Sequence, residues 1–204
     1  MIINYLGKEF FKISQGDLTV AFNPISKESK LPTPAKFGAD VAIVTTNHPD
    51  YNGGADLKHG DRVPFVIDGP GDYEVKGVFV KGEASHAEIG GKNYLSTSYL
   101  LSLDGITLGF TGPLGKELSK EAKEILSESD VLFVSLAGPG GASGAYKLAS
   151  ALEPGLIIPM DYDSASLKTF LKEAGEDKLE AIEKLVLKKK DLEGKEGDVV
   201  VLSV

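Results

Sequence analysis

The chain of 204 residues contains no cysteine and no tryptophan, and it has only two methionines and three histidines. Without cysteine it can form neither a disulfide nor a thiolate metal site, and it has no cysteine nucleophile. Any metal site must therefore use histidine, carboxylate or other oxygen ligands. A chain without disulfides is typical of the cytoplasm, and we predict a cytoplasmic location.

Long apolar runs and a surplus of positive charge are also missing. No segment approaches the roughly 18 consecutive apolar residues of a transmembrane helix, so we expect no membrane partner. The first eight residues lack the basic and apolar stretches of a signal peptide. The chain has 22 basic and 30 acidic residues, a net charge of −8, which opposes binding to the phosphates of nucleic acid.

The residues that are present have the composition of a globular protein, with 42% hydrophobic and 25% charged residues. A chain of this length fits one domain over 1–204 with a sizeable core. The first half predicts short strands between turns, at 9–14, 18–22, 40–44, 63–67, 73–81, 94–103 and 106–110. Prolines and polar residues predict a surface loop over 23–38.

After Gly115 the pattern changes to alternating strands and helices. Helices are predicted at 119–127, 142–152 and 164–174, between strands at 130–136 and 155–160, and strands at 184–187 and 199–202 follow. The charged segment 188–198 is predicted to be a solvated hairpin connection. This order of elements predicts two sheets with helices packed outside them.

The segment 45–52 contains the first candidate site residues. It directly follows the apolar run 41–44, which predicts a buried strand, and it carries His48 and Asp50 two positions apart. Binding sites are often built where a strand ends, and imidazole nitrogen and carboxylate oxygen both bind zinc. The alternative is a turn in which Asp50 caps backbone amides and no metal is bound.

Two further residues would complete such a site. His86 lies in a polar stretch after a predicted strand that ends near Lys81, and Asp161 directly follows the strand that ends at Met160. Because strand ends converge at one rim of a sheet, His48, Asp50, His86 and Asp161 form a candidate set for one metal ion. In this set Asp50 is the candidate base that removes a proton from a metal-bound water.

The glycine-rich loop Gly138–Gly144 lies between a predicted strand and a predicted helix. Backbone amides at such a helix start can bind an anion. However, Ser143 stands where a dinucleotide fingerprint needs a third glycine, and no Gly-Lys-Ser or Gly-Lys-Thr follows. We favour a tight turn without a ligand, and an anion site is the alternative.

Taken in order, several segments resemble the metallo-β-lactamase-fold hydrolases, in particular the small Zn-dependent branch that includes ascorbate-6-phosphate lactonase. The matching segments are 45–51, 70–75, His86, 110–115 and 158–162. Their order and spacing agree with that family over nearly the whole chain. The resemblance implies an α/β fold, a four-layer αββα sandwich of two mixed sheets, with the site at one rim.

The metal-ligand positions depart from the family pattern. In the first matching segment, residues 45–51, which we call the first motif, Thr46 replaces the leading histidine and Tyr51 replaces the closing one. Pro113 replaces the bridging aspartate, and Asp161 replaces the histidine of the last motif. A proline side chain has no lone pair, so the resemblance implies that the usual two-metal site cannot form.

Three interpretations of function follow. In the first, which we favour, the fold persists without its metals, no cofactor is expected, and the rim binds an unidentified small molecule or protein or is structural. In the second, His48, His86 and either Asp50 or Asp161 hold one divalent metal such as zinc and hydrolyse a small ester, lactone or phosphoester. The third is a binding or assembly module that uses the loop 138–144 or an exposed edge strand. The sequence defines neither a substrate nor an oligomeric state.

Overall fold

A computed structural model of the chain describes residues 1–32 and 37–204, so part of the surface loop predicted at 23–38 lies outside the described residues. The strands of the first sheet are β1 (Ile2–Tyr5), β2 (Phe11–Gln15), β3 (Leu18–Phe22), β4 (Val41–Ile43), β5 (Phe65–Ile67) and β12 (Leu185–Val186). Their order is β12-β1-β2-β3-β4-β5, and the sheet is mixed because β3, β4 and β5 pair in parallel while the other pairs are antiparallel.

The second sheet has seven strands in the order β13-β11-β10-β9-β8-β7-β6. They are β6 (Gly71–Val75), β7 (Val78–Ile89), β8 (Lys92–Leu103), β9 (Ile106–Phe110), β10 (Val131–Ser135), β11 (Leu156–Met160) and β13 (Asp198–Val199). Strands β6 to β9 form an antiparallel meander, and β9, β10, β11 and β13 are parallel. Parallel strands need crossovers, which explains the helices that follow β9.

The main core lies between the two sheets, where alternate side chains of each strand point inwards. Aromatic rings dominate its centre: Phe110 stacks on Phe22 with ring centroids 3.6 Å apart and on Phe133 at 4.1 Å. Phe11 meets Phe133 edge to face at 4.8 Å. Burying such large side chains drives the two sheets together.

Three helices cover the outer face of the second sheet: α1 (Lys120–Leu126), α2 (Gly141–Ala151) and α3 (Ser164–Ala174). Helix α3 begins at a capping box between Asp163 and Ser166 and ends at Gly175, whose φ of 74° suits a left-handed cap. The first sheet is covered by the 3-10 helix Gly53–Leu57 and by loops. The predicted sandwich is confirmed, although within the described residues its fourth layer contains no α-helix.

Two sequence predictions about individual elements were wrong, and one strand was missed. The predicted strand 73–81 is two strands, because a left-handed turn at Lys76-Gly77 separates β6 from β7. Strand β1 was missed, and β7 runs on to Ile89 instead of ending near Lys81. The segment 188–198 is not a hairpin connection, since β12 and β13 belong to different sheets.

The long hairpin of β7 and β8 reaches beyond its own sheet. Each strand has twelve residues, but β6 pairs with β7 only as far as Gly82 and β9 pairs with β8 only from Tyr99 onwards. The part from Glu83 to Ser98, which we call the arm, crosses to the other sheet. There the Thr97 amide donates to the Thr45 carbonyl at 2.8 Å. The arm therefore bridges the two sheets at one rim.

Among the helices of residues 1–32 and 37–204, none is both long and apolar enough to span a membrane.

Candidate functional site

The rim beneath the arm is where several strands end. The first motif follows β4, Pro113 follows β9, Ser135 ends β10, and Asp161 follows β11. Side chains from these segments line a cavity of about 80 Å³, which the arm closes with Glu88–Gly90. The fold thus brings distant parts of the chain to one place, as expected for the carboxyl ends of strands in an α/β sheet.

An ion pair between Lys8 and Asp161 occupies the centre of this rim. The Lys8 Nζ atom donates to Asp161 Oδ1 at 2.9 Å and lies 2.7 Å from Asp161 Oδ2. The two side chains are only 23% and 13% exposed, so water screens the pair little. The Asp161 amide also donates to the Lys8 carbonyl at 2.7 Å, which ties the β1–β2 turn to the end of β11.

Glu9, beside this pair, is completely buried. Its Oε2 atom accepts a hydrogen bond from Asn23 Nδ2 at 2.9 Å, whereas its Oε1 atom has no hydrogen-bond partner within normal limits in the part of the chain that the structure describes. Burial, and next the charge of Asp161, raise the pKa of Glu9 to about 8, although Ser135, Lys8 and Asn23 oppose the shift. Glu9 is therefore mostly protonated at neutral pH.

Tyr51 closes the other side of the ion pair. Its ring is 1% exposed, its hydroxyl donates to Asp161 Oδ2 at 3.5 Å, and Lys8 Nζ lies 5.6 Å from the ring centroid. Burial, followed by the charges of Glu9 and Asp161, raises the pKa of Tyr51 far above its usual range. Tyr51 is therefore a neutral donor. We call Lys8, Glu9, Tyr51 and Asp161 the buried cluster.

The backbone around the buried cluster is strained. Lys8, Asn23 and Asp161 have φ values of 59°, 46° and 52°, in the left-handed region that non-glycine residues seldom adopt. The same conformation at Lys76 and Asp104 is explained by hairpin turns in which a glycine follows. Strained residues tend to gather at functional sites, and here three of them meet at one cluster.

His48 and Asp50 lie together in the loop at the solvent side of the rim. Their side chains approach to 3.7 Å between His48 Nδ1 and Asp50 Oδ2, and each is 23% exposed. The Asp50 amide donates to His48 Nδ1 at 3.3 Å, and Asp50 Oδ1 accepts from Ser29 Oγ at 2.5 Å. These contacts turn the Nδ1 side of the His48 ring towards Asp50.

Thr46 stands at the leading position of the first motif and has a different partner. It is buried, and its Oγ1 atom donates to the Leu95 carbonyl of the arm at 2.7 Å. A bridge between Thr46 and Ser96 extends the contact. Thr46 therefore anchors the arm over the rim, and Pro113 lines the cavity below it.

The structure does not bring His86 to the other candidate ligands. His86 lies inside β7, where Ser85 and Ala87 are buried and His86 between them is exposed. Among the described residues its side chain makes no hydrogen bond or ion pair, and no group of three or more histidine, aspartate or glutamate side chains is placed to hold a metal. The single-metal set of His48, Asp50, His86 and Asp161 stays a prediction, with His48 and Asp50 in contact and Asp161 in the buried cluster.

The donor set present does not fit the two-metal centre that the sequence resemblance implies. Thr46 and Tyr51 both use their hydroxyl protons on protein acceptors, and both oxygens of Asp161 contact Lys8. A protonated ammonium at that carboxylate opposes a second cation in the same place.

Sequence reasoning missed Lys8, Glu9 and Ser135 and treated Tyr51 only as a lost ligand. One signal was available: Glu9 directly precedes the apolar pair Phe10-Phe11, an unusual place for a carboxylate unless it has a partner. Nothing local could identify the neighbours of Glu9, because its hydrogen-bond partner Asn23 is 14 positions away and the adjacent Lys8 pairs with Asp161, 153 positions away.

The glycine-rich loop borders a different cleft from the cavity of the buried cluster, although Ala137 directly before it lines that cavity. Helix α2 begins at Gly141, and Gly138 packs so closely that an added Cβ would lie 2.6 Å from Leu114 Cβ. The loop borders a cleft of about 250 Å³ that Lys116 and Lys123 also line. Close packing explains one of the glycines without a ligand, and whether the loop binds an anion stays a prediction.

Comparisons with known proteins agree with the fold. The family described as "Beta-lactamase superfamily domain" matches residues 2–161. A candidate Zn-dependent hydrolase of the metallo-β-lactamase superfamily from Thermotoga maritima is 28% identical, with a TM-score of 0.73 over 98% of this chain and 97% of that one. The metallo hydrolase Igni18 from Ignicoccus hospitalis is 18% identical, with a TM-score of 0.62 over 92% of this chain and 99% of that one. No curated protein sequence matches the chain significantly.

Proposed function

Since this chain belongs to the β-lactamase superfamily domain family and has the metallo-β-lactamase fold, we propose that it is a metal-independent, non-catalytic member whose rim has a binding or structural role. The observation that carries the proposal is the commitment of Asp161 to Lys8 at both of its oxygens. Asp161 stands at a position that supplies a metal ligand in the related hydrolases, and Lys8 already neutralises its charge.

The size of the cavity supports the same conclusion. Pockets that bind substrates usually measure roughly 300–1,000 Å³, whereas the cavity beneath the arm measures about 80 Å³. Thr46 holds the arm in place from one sheet, and the Glu88 amide donates to the Leu114 carbonyl at 3.2 Å from the other side. A hydrolase substrate would have to displace this closed arm.

A groove beside the Lys8–Asp161 pair is the best-placed surface for a binding role. It measures about 250 Å³ and is mostly apolar, with Leu6, Ile25 and Tyr162 among its lining residues. We propose that a small molecule or a protein segment binds there. A fragment screen followed by NMR supports this if shifts cluster at Leu6 and Ile25, whereas shifts confined to Gly138–Gly144 favour the glycine-rich loop instead.

Metal analysis of untagged protein tests the main proposal. We expect zinc, iron and manganese far below one ion per chain after purification without chelator, and no hydrolysis of chromogenic ester, lactone or phosphoester substrates above a heat-denatured blank. Near-stoichiometric metal that disappears in His48→Ala contradicts the proposal. His59→Ala is the matched control, because His59 is exposed and lies outside the first motif, in a turn where it pairs with Arg62.

The contact between His48 and Asp50 favours a second candidate function, the mononuclear hydrolase. In that proposal His48, His86 and either Asp50 or Asp161 hold one divalent metal, and Asp50 is the base. It requires the arm to move, because His86 is exposed on β7. The same metal analysis decides between the two. A cytoplasmic location and a partner other than nucleic acid stay proposals based on composition.

A further inference from the structure

We propose that the Lys8 ammonium is an internal cation that fills a cation site at the rim, so that removal of this one side chain creates a site for a divalent metal ion bound through oxygen. The inference deepens the proposed function and rests on it, since it names what has replaced the metal. The site differs from the family's centre in its ligands, which come from the buried cluster and from Ser135.

The position of Lys8 resembles that of an ion held by a carboxylate in bidentate fashion. Its Nζ atom contacts both oxygens of Asp161, at 2.9 and 2.7 Å. One N–H of the ammonium donates to Asp161 Oδ1, and Oδ2 is held by the same charge as an ion pair. The site therefore already binds a positive charge, and that charge is the ammonium group of Lys8.

Two buried oxygen atoms next to the ion pair lack a hydrogen bond within normal limits among the described residues. They are Glu9 Oε1 and Ser135 Oγ, both inaccessible to solvent, and the Ser135 hydroxyl is near enough to Glu9 to act on its carboxyl group as a donor. Ser135 lines the 80 Å³ cavity together with Lys8, Tyr51 and Asp161. The cavity is large enough for water, which needs only about 10–15 Å³ of such volume. Without Lys8, the available ligands would be carboxylate, hydroxyl and water oxygens.

An oxygen-rich set of this kind suits manganese and magnesium, which prefer carboxylate and water ligands. The local charges point in the same direction. Glu9 and Asp161 bring two carboxyl groups to this place, and Lys8 supplies one positive charge to them. A divalent ion could balance both carboxyl groups, whereas Lys8 can balance only one.

The chain offers a matched control, the pair between Lys189 and Asp130. Lys189 Nζ donates to both oxygens of Asp130, at 2.9 and 2.8 Å, so its geometry nearly equals that of Lys8 and Asp161. Asp130 also accepts hydrogen bonds from Thr107, and it has no unpartnered carboxylate beside it. Removal of Lys189 should therefore leave no cation site.

The experiment is a titration with Mn²⁺ alone, followed by the loss of the free-ion EPR signal and by the melting temperature. For Lys8→Ala we expect one Mn²⁺ per chain and a rise in melting temperature of about 5 °C when Mn²⁺ exceeds its Kd about a hundredfold. For the wild type and for Lys189→Ala we expect no tight ion and a rise below about 1 °C. A Lys8→Ala protein that behaves like Lys189→Ala overturns the inference.

Two further variants keep the test decisive. Lys8→Gln retains an N–H donor for Asp161, and if Lys8→Ala does not fold at any Mn²⁺ concentration, the same titration of Lys8→Gln decides. Lys8→Ala combined with Asp161→Asn must lose the ion, and retention would place it elsewhere and overturn the inference. Failure of the proposed function looks different, because the wild type itself would then bind metal tightly and in a manner that depends on His48.

Discussion

Two lysine–aspartate pairs in this protein share their geometry and differ in their surroundings. In each pair the lysine Nζ atom contacts both carboxylate oxygens at 2.7–2.9 Å. The side chains of Lys8 and Asp161 are 23% and 13% exposed, whereas those of Lys189 and Asp130 are 58% and 27% exposed. Contact distances alone therefore do not tell what an ion pair contributes, since burial decides how strongly its charges interact.

The groups that surround the two carboxylates, Asp130 and Asp161, also differ. Burial raises the pKa of Asp130, but hydrogen bonds from Lys189 and Thr107 outweigh that effect and leave the pKa lowered. Asp130 would thus remain well solvated and hydrogen-bonded without its lysine. Asp161 instead faces a buried carboxyl group, Glu9, and a buried phenol, Tyr51. Lys8 is the counter-charge on which the rim depends.

The largest effect is predicted for the two lysines themselves. We expect Lys8→Met to lower the free energy of unfolding by about 3 kcal/mol, because it leaves Asp161 partly buried without a counter-charge. Lys189→Met should lower it by less than about 1 kcal/mol, because that pair is exposed and screened. Urea unfolding at pH 7 measures both values.

A double variant separates lost charge from lost packing. Lys8→Met combined with Asp161→Asn removes both charges, and we expect it to recover at least about 1 kcal/mol relative to Lys8→Met alone. Equal losses at Lys8 and Lys189 would show that burial does not distinguish the two pairs.

The second effect is a pH dependence of the free energy of unfolding that is caused by Glu9. Its pKa rises from 4.5 in the unfolded chain to about 8 in the folded protein, so the folded protein retains a proton between these values that the unfolded chain releases. The stabilisation from this proton is complete below pH 4.5 and is lost as pH rises towards 8. Over pH 5 to 8 we expect the wild type to lose roughly 3 kcal/mol that Glu9→Gln does not lose.

The carboxyl groups whose pKa values are lowered do not obscure this difference. The pKa values of Asp40, Asp56 and Asp130 are lowered, so their stabilisation is present above pH 3.8 and is lost only as pH falls below it. Unfolding measured at several pH values for the wild type and Glu9→Gln isolates the Glu9 contribution. Parallel curves for the two proteins would mean that Glu9 is ionised in the folded state.

The sequence predicted the strands that form this rim better than the side-chain contacts within it. Apolar runs placed β4 and β11 correctly, and because Asp161 directly follows Met160, its position at a strand end was predictable. His86 was not, because the side of a strand on which a residue lies depends on where the strand continues, and β7 runs past Lys81. The partner of Asp161 was also beyond sequence reasoning, since Lys8 reaches it only through the packing of two sheets.

The third-largest effect is expected for the uncharged hydrogen bond between Thr46 and the arm. Thr46→Val keeps the shape of the side chain and removes the hydrogen bond to the Leu95 carbonyl. We expect a loss of about 1 kcal/mol, less than for Lys8→Met, because a neutral hydrogen bond contributes less than a partly buried counter-charge. Hydrogen exchange should show faster exchange in the arm, at Ser96 and Thr97, than at strand β10. A larger loss than for Lys8→Met would make the arm, and not the ion pair, the main support of the rim.

The smallest effect is expected for His48, although it is the best-preserved residue of the first motif. Its side chain accepts one weak hydrogen bond, at 3.3 Å from the Asp50 amide, and packs edge to face against Tyr94 with ring centroids 5.4 Å apart. His48→Ala should therefore lower the free energy of unfolding by only about 0.5 kcal/mol, like a surface substitution. The measurement is urea unfolding of His48→Ala beside Lys8→Met, with and without a chelator. A loss near that of Lys8→Met that the chelator reproduces in the wild type would mean that His48 holds a structural metal, and the contrast between the solvent side of the rim and the buried cluster would then fail.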